Sequence, residues 1–203
     1  MADGEPTEPG RAEVGSLSAV AGRSVLVGVT GGIAAYKVAG MVSMLVKAGA
    51  EVRVLMTESA TRFVGPTTFA SLSGKRVLAS IWDTDDRPDS QHVAVARDAD
   101  VMVIAPATAN CLGKLSAGLC DDVVTLAATA LPKGRPLVVA PAMNADMWAS
   151  PMVQRNVRLL GEMLSDLVMV GPGSGWQACR TEGAGRMAEA DEIAAVVASV
   201  LKG

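Results

Sequence analysis

The sequence predicts an α/β protein with a single doubly wound parallel sheet between two helical layers, a three-layer fold of Rossmann or flavodoxin type. Three observations point there. Short apolar runs alternate with helical patterns along the chain. The runs at 24–30, 99–105 and 137–140 are apolar at nearly every position, as strands covered on both faces are. Hydrophobic residues make up 50% of the chain and aromatic ones only 3%, so the core must be layered from many Ala, Val, Leu, Ile and Met side chains. At 203 residues the chain is long enough to bury that core as one domain.

Residues 1–22 mix Pro, Gly, Glu and Ser without apolar periodicity and read as a disordered leader, so the folded domain is expected over 23–203. The acidic residues in the leader argue against a targeting role. A buried strand at 24–30 runs through Gly31 and Gly32 into a helical pattern at 33–48, closed by Gly49. The next strand, 51–56, leads to Thr57 as the N-cap of another helix, which completes a βαβ unit with a right-handed crossover. A helix at 67–72, an extended piece at 76–82, a loop at 83–90 and a short helix at 91–97 follow. The strand at 99–105 is expected to stop at Pro106, and the one at 137–140 at Pro141, because proline has no N–H to give to a ladder. Helices are expected at 109–117, 121–130 and 152–164, a last strand at 166–170 and a final helix at 190–201. Residues 171–185 are too glycine-rich for a regular element. There is no internal repeat of ~20–50 residues.

Charge and composition exclude several classes. The formal net charge is −3 and no basic stripe exists, which argues against a nucleic-acid partner. No window reaches the ~18 uninterrupted apolar residues of a membrane span. The three cysteines form no CxxC pair, and no secretory signal opens the chain, so a reduced, cytoplasmic setting is expected. No metal is expected.

The first strand–helix turn, Gly28-Val-Thr-Gly-Gly-Ile-Ala, is not a G-x-G-x-x-G fingerprint, yet it sets Gly31 and Gly32 where a helix begins. Free N–H groups and the positive helix end suit a phosphate there. Tight turns also need glycine for steric reasons alone. Thr57 and Ser59 stand at the corresponding end of the second strand, as cap, phosphate ligand or both. Two later loops match each other, Ala105-Pro-Ala-Thr-Ala-Asn110 and Pro141-Ala-Met-Asn144. Each carries small side chains and an asparagine past the carboxyl end of a buried strand, where open α/β sheets bind ligands. Thr108, Asn110 and Asn144 can equally cap helices. His92, the only histidine, suits proton transfer or holding a carboxylate, although composition alone favours an ordinary surface or capping histidine. Cys179, beside Trp176, Gln177 and Arg180, suits a proton donor or nucleophile. Cys111 and Cys120 read as small core residues. Gly183-Ala-Gly-Arg186-Met187 ends that loop with glycines flexible enough to close over a ligand.

Taken in order, Thr30-Gly-Gly-Ile-Ala-Ala, Thr57-Glu-Ser-Ala, the lone His92, the Ala105–Asn110 loop, Pro141-Ala-Met-Asn144-x-x-Met147 and Gln177-Ala-Cys179…Gly183-x-Gly185-Arg-Met187 resemble the homo-oligomeric flavin-containing cysteine decarboxylases. The resemblance covers roughly 24–201. It implies FMN, with the phosphate near Gly31, Gly32, Thr57 and Ser59. The ring would lie by Ile33, against Phe63 and the loop of Pro106, Ala107, Thr108 and Asn110. It implies that His92 reaches the flavin of a neighbouring subunit, that Asn144 binds the substrate carboxylate, and that Cys179 donates a proton late in the reaction. Ala142, Met143, Met147 and Arg186 would complete the substrate site. The implied reaction takes the small molecule 4′-phosphopantothenoylcysteine to 4′-phosphopantetheine in coenzyme A synthesis, in trimers or dodecamers. Hydride transfer to the flavin makes the thiol-bearing carbon an electron sink for loss of CO₂, and members without the loop cysteine stop at the enethiol.

The chain departs from that family in having Arg180-Thr181 where a Gly-Asp pair is usual. Bacterial relatives often continue into a ligase domain, and a chain ending at Gly203 is expected to leave that ligase to a separate protein. Three neighbouring readings remain. One is oxidative decarboxylation of a C-terminal peptide cysteine, and another is flavin-dependent prenyl transfer. The third is a flavin-binding regulatory subunit that inhibits a partner enzyme. A nicotinamide dehydrogenase fits poorly, because the glycine pattern is wrong and no ribose-binding acid follows the second strand.

Overall fold

The computed structural model describes residues 14–83 and 91–202. Five parallel strands form the central sheet: β1 (Ser24–Val29), β2 (Glu51–Met56), β3 (Val101–Ala107), β4 (Leu137–Pro141) and β5 (Leu167–Met169). Their order is β2-β1-β3-β4-β5, the flavodoxin-like arrangement, whose winding reverses between β1 and β3. The two-residue period of the strands divides the core. Val25, Val27 and Val29 of β1 join one cluster with Val52, Val54, Val101 and Val103. Leu26 joins the other, with Met102, Ile104, Leu137 and Val139. The first face is covered by α1 (Ala35–Lys47), α3 (Pro66–Ser73) and α9 (Ala190–Val200). The second is covered by α4 (Gln91–Asp98), α5 (Ala109–Ala117), α6 (Val123–Thr129) and α8 (Pro151–Met163). Two short helices, α2 (Glu58–Thr61) and α7 (Ala145–Ala149), follow β2 and β4. The three-layer α/β class is as the sequence predicts.

Side-chain caps start the helices at the carboxyl edge of the sheet. Oγ1 of Thr57 accepts from the Ala60 N–H at 3.2 Å, and Oγ1 of Thr108 accepts from the Cys111 N–H at 3.2 Å. Oδ1 of Asp122 accepts from the N–H groups of Val124 and Thr125, and Oδ1 of Asn144 from that of Met147 at 2.8 Å. Gly28 is required by packing. A Cβ there would come 2.7 Å from Cγ1 of Val124, so β1 can lie against α6 only without one.

Five expectations need correction. The leader is not disordered from residue 14 onward, because Val14–Val20 is a 3-10 helix. Leu17 and Val20, three apart and so on one face of such a helix, are buried against α1 and α9. The extended piece at 76–82 is shorter than expected and gives way to a turn at 81–82. It makes a single bridge, Leu55 to Leu78, before Oδ2 of Asp83 accepts from the N–H groups of Ala79 and Ser80 and turns the chain away. The rest of the expected 83–90 loop lies outside the described residues. β3 does not stop at Pro106 but continues to Ala107, its register against β4 shifting after Ile104. Residues 171–185 do contain regular structure, an antiparallel hairpin of β6 (Gly173–Trp176) and β7 (Glu182–Arg186). Cys120 is half-buried at the surface rather than in the core, with Sγ 3.2 Å from Oγ1 of Thr129.

The packing of the 3-10 helix gives a direct check. Leu17→Ala should lower stability by about 2–3 kcal/mol, the usual cost of emptying a buried leucine position, read from the midpoint of urea unfolding. An unchanged midpoint would mean that this segment does not belong to the core.

Candidate active site

The reversal of winding opens a crevice between the loops that follow β1 and β3. Thr30, 2% exposed, closes its floor: Oγ1 donates to the carbonyl of Pro106 at 2.6 Å and accepts from the N–H of Thr108 at 3.2 Å. Gly31 lies against α2 so closely that a Cβ would overlap Cβ of Ser59. Gly32 faces Thr108 and Pro106 at 3.7 and 4.0 Å from an added Cβ. The first turn leading into α1 therefore lies open between hydroxyl-bearing residues. Thr57, Ser59 and Thr108 line the resulting cleft, with Ile33 and Tyr36 as exposed apolar surfaces. Its volume is about 1430 Å³, larger than the ~300–1,000 Å³ of a pocket for one small ligand.

The hairpin forms the opposite wall. Gly183 and Gly185 share one face of β7 and press on the loop after β4. A Cβ on Gly183 would come 2.7 Å from Cβ of Ala145, and one on Gly185 would overlap the Met143 carbonyl. Gly185 also has φ +123°, which side chains disfavour, and its carbonyl accepts from the Met143 N–H at 2.9 Å. Gln177, 7% exposed, locks the two parts together. Its Nε2 donates to the carbonyls of Gly183 and Ala184, and its Oε1 accepts from the N–H of Ala145 at 3.1 Å. The Cys179 turn is thereby fixed beside the Asn144 cap. Sγ of Cys179 lies 3.6 Å from Oε1 of Gln177 and 2.9 Å from Oγ1 of Thr181. Arg180 closes the turn at φ +63°, the left-handed region in which glycine is usual.

Two ion clusters flank the cleft. Glu189, N-cap of α9, binds Nζ of Lys37 at 2.9 and 3.1 Å and also Nη2 of Arg186, so one carboxylate ties α1 to the end of β7. The hydrogen bond from Lys37 outweighs partial burial and holds the Glu189 carboxyl below its ordinary range. On the other side Nζ of Lys114 meets Asp121 at 2.6 Å and Asp122 at 2.8 Å. Burial alone would lower that ammonium, but the two carboxylates outweigh it and raise it. Burial pushes the Cys111 thiol up to about 12, which leaves it an inert wall residue.

Of the residues singled out in the sequence, Gly31, Gly32, Ile33, Thr57, Ser59, Thr108, Asn110, Ala142, Met143, Met147 and Arg186 line this cleft. Pro106 and Ala107 lie behind its wall, buried in β3, their carbonyls taken by Thr30 and by the Ala142 N–H. Phe63 is half-exposed and outside the lining. Asn144 and Cys179 stand in the adjoining loops and are not part of the lining; Oε1 of Gln177 accepts from the Ala145 N–H, one residue past Asn144, and lies 3.6 Å from Sγ of Cys179. His92 is on α4, and its side chain lies outside the described residues; no described α4 side chain lines the cleft. Lys37, Lys114 and Glu189 were missed, because ordinary charges on helices carry no motif.

Known proteins resemble this chain along most of its length. The Flavoprotein family model matches residues 16–202. The coenzyme A biosynthesis bifunctional protein CoaBC of Bacillus subtilis is 43% identical over 174 residues, covering 84% of this chain and 41% of that protein. The chain thus spans less than half the length of such curated relatives. A solved cysteine-to-serine mutant of a PPC decarboxylase, complexed with pantothenoylaminoethenethiol, is 32% identical with a TM-score of 0.78, covering 89% of this chain and 99% of that one. The FMN-dependent cysteine decarboxylase SpaF is 32% identical with a TM-score of 0.72 over the same shares.

The Glu189 bridge has a defined pH dependence. A carboxyl held low stabilises the fold above its ordinary value of 4.5, and that contribution is lost as pH falls through the lower folded value. Glu189→Gln should therefore cost about 0.5–1 kcal/mol at pH 7, discounted for a half-exposed pair. The difference between the two proteins should shrink below about pH 4.5 in thermal unfolding. A pH-independent difference would mean that packing, not charge, is what the substitution removes.

Proposed function

The chain belongs to the Flavoprotein family, and we propose that it is an FMN-dependent carboxy-lyase that converts 4′-phosphopantothenoylcysteine to 4′-phosphopantetheine in coenzyme A synthesis. The observation that carries this reading is the Gln177 junction, which brings the Asn144 cap and the Cys179 turn to one side of a cleft whose other side is a glycine and hydroxyl cradle. The cradle fits FMN. Gly31 and Gly32 leave backbone approachable at the start of α1, Thr57 and Ser59 add hydroxyls for a phosphate, and Ile33 offers an apolar surface to a ring. When bound, the flavin supplies reversible acceptance of a hydride.

The chain's own groups then have separate tasks. Oδ1 of Asn144 is engaged by the Met147 N–H, so Nδ2 is the end of the amide that can donate to a substrate carboxylate. After CO₂ leaves, the S–H bond of Cys179 breaks and a C–H bond forms on the substrate, with the electron pair remaining on sulfur. Thr181, 2.9 Å away, can donate its hydroxyl hydrogen to the thiolate. Solvent returns the proton. A thiolate left at that position needs such a donor, and the residue that departs from the family's usual acid is neutral here. The hairpin walls the cleft on the side of the reacting carbon, with Trp176, Gln177 and Arg180 among its lining.

In this reading His92 reaches the flavin of a neighbouring subunit, the chain assembles into trimers or dodecamers, and it works in the cytoplasm. Among the described residues no helix is long and apolar enough to cross a membrane. Decarboxylation of a C-terminal peptide cysteine stands as a second reading, supported by the likeness to SpaF, an FMN-dependent cysteine decarboxylase.

Product mass distinguishes the two. The purified protein should release CO₂ from 4′-phosphopantothenoylcysteine and give a product with no net oxidation. A product lighter by two hydrogens, or turnover of a C-terminal-Cys peptide alone, would assign the oxidative reaction instead. Cys179→Ser should still release CO₂ but accumulate the enethiol; normal thiol formed at the wild-type rate would remove Cys179 from the proton step. Asn144→Asp should keep α7 and its flavin, since Asp caps as well as Asn, and lose roughly a hundredfold in turnover by like-charge repulsion. Loss of flavin in that variant would make Asn144 a folding or cofactor residue.

A further inference from the structure

The two cations that Glu189 holds both line the cleft, whereas Glu189 does not. Nζ of Lys37 is fixed at 2.9 Å from Oε1 of Glu189, with its side chain only 16% exposed. Arg186 is placed by the hairpin itself. A Cβ on Gly175 of β6 would come 3.0 Å from Nη1 and 3.2 Å from Cδ of Arg186, so the guanidinium lies across bare backbone. One carboxylate serves two cations and leaves a positive charge facing the cleft. Two long side chains already held in position lose little further freedom when an anion arrives, and a guanidinium and an ammonium are the groups that suit a phosphate.

The direction matters as much as the charge. Lys37 reaches from α1 towards α9 and β7, on the β4 side of the sheet. Ser59, which touches Gly31, belongs to the β2 side. The molecule therefore offers two separate anion receivers on opposite sides of α1. If the FMN phosphate takes the Gly31–Ser59 side, the Lys37–Arg186 side is left for a second anionic group.

We infer that Lys37 and Arg186, held from behind by Glu189, form the subsite for the phosphate monoester of the small-molecule substrate. This rests on the function proposed above and deepens it. The pair would make phosphorylated substrate preferred over its dephosphorylated form and over a peptide. Lys37 and Arg186 contact the substrate in this assignment, and Glu189 is a positioning residue.

The test compares 4′-phosphopantothenoylcysteine with pantothenoylcysteine on the flavin-loaded protein. In Lys37→Met the preference for the phosphorylated substrate, as a ratio of kcat/KM values, should fall roughly tenfold, the size of one charge-assisted hydrogen bond, through KM rather than kcat. Lys37→Arg should restore most of it. FMN affinity should stay at the wild-type value in both variants. Raising ionic strength should raise KM for the phosphorylated substrate only. An unchanged preference ratio in Lys37→Met, with flavin retained, would overturn the assignment. A loss of FMN affinity instead would assign Lys37 to the cofactor and overturn it equally. Calorimetric binding of 4′-phosphopantetheine against pantetheine gives a readout independent of turnover. If the wild-type protein releases CO₂ from neither substrate, the functional reading fails. The affinity gap between those two products, and its loss in Lys37→Met, still decides the subsite.

Discussion

Everything at the ligand end of this molecule depends on the hydroxyl of Thr30. It sits at the one place where the winding of the sheet reverses, and there the loops after β1 and β3 part company. Two parted loops would drift without a tie, and backbone groups exposed inside the crevice would be left wet. A single buried oxygen answers both needs by donating to Pro106 and accepting from Thr108. The floor is then rigid, and α1 and α5 start at fixed positions on either side of it.

From that floor the site is completed by close contact rather than by large side chains. Gly31 against Ser59, Gly183 against Ala145 and Gly185 against the Met143 carbonyl are approaches that a methyl group would block. Such contacts bring chain segments close together and leave the cleft wide while its walls stay thin. The hairpin, short and mostly exposed, has little core of its own. It is held by the buried amide of Gln177, which satisfies two carbonyls and one N–H, and by the Glu189 bridge at its far end. Cys179 is therefore presented on a fixed turn although its surroundings are exposed.

Charge is distributed to match. The side of the cleft near α9 carries cations tied by a single carboxylate, while Lys114 is doubly neutralised by Asp121 and Asp122 on the side near α6. The paired cations on the first side and the neutralised ammonium on the second give the cleft an orientation as well as a volume.

Much of this was legible in the chain. The apolar runs of β1, β3 and β4 fixed the sheet, since strands covered on both faces admit no other composition. The paired loops ending in Asn110 and Asn144, and Thr57 and Thr108 beside them, announced the carboxyl edge because capping chemistry is local. Local rules failed where contacts between distant segments decide. Glycine reads as flexibility in a sequence, and β6 and β7 are specified instead by Gly183 packing on α7 and Gly185 on the loop before it. Leu17 and Val20 look isolated among small and polar neighbours, and only the surface of α1 and α9 gives them a place to be buried. The sequence by itself determined the fold class and many of the residues that line the cleft. Tertiary structure alone decided that Gln177 ties the N–H of Ala145, next to Asn144, to the Cys179 turn and that Glu189 gathers Lys37 and Arg186. Those bonds link positions 32 and 152 residues apart, and side chains so far separated carry no periodicity through which a chain can declare them.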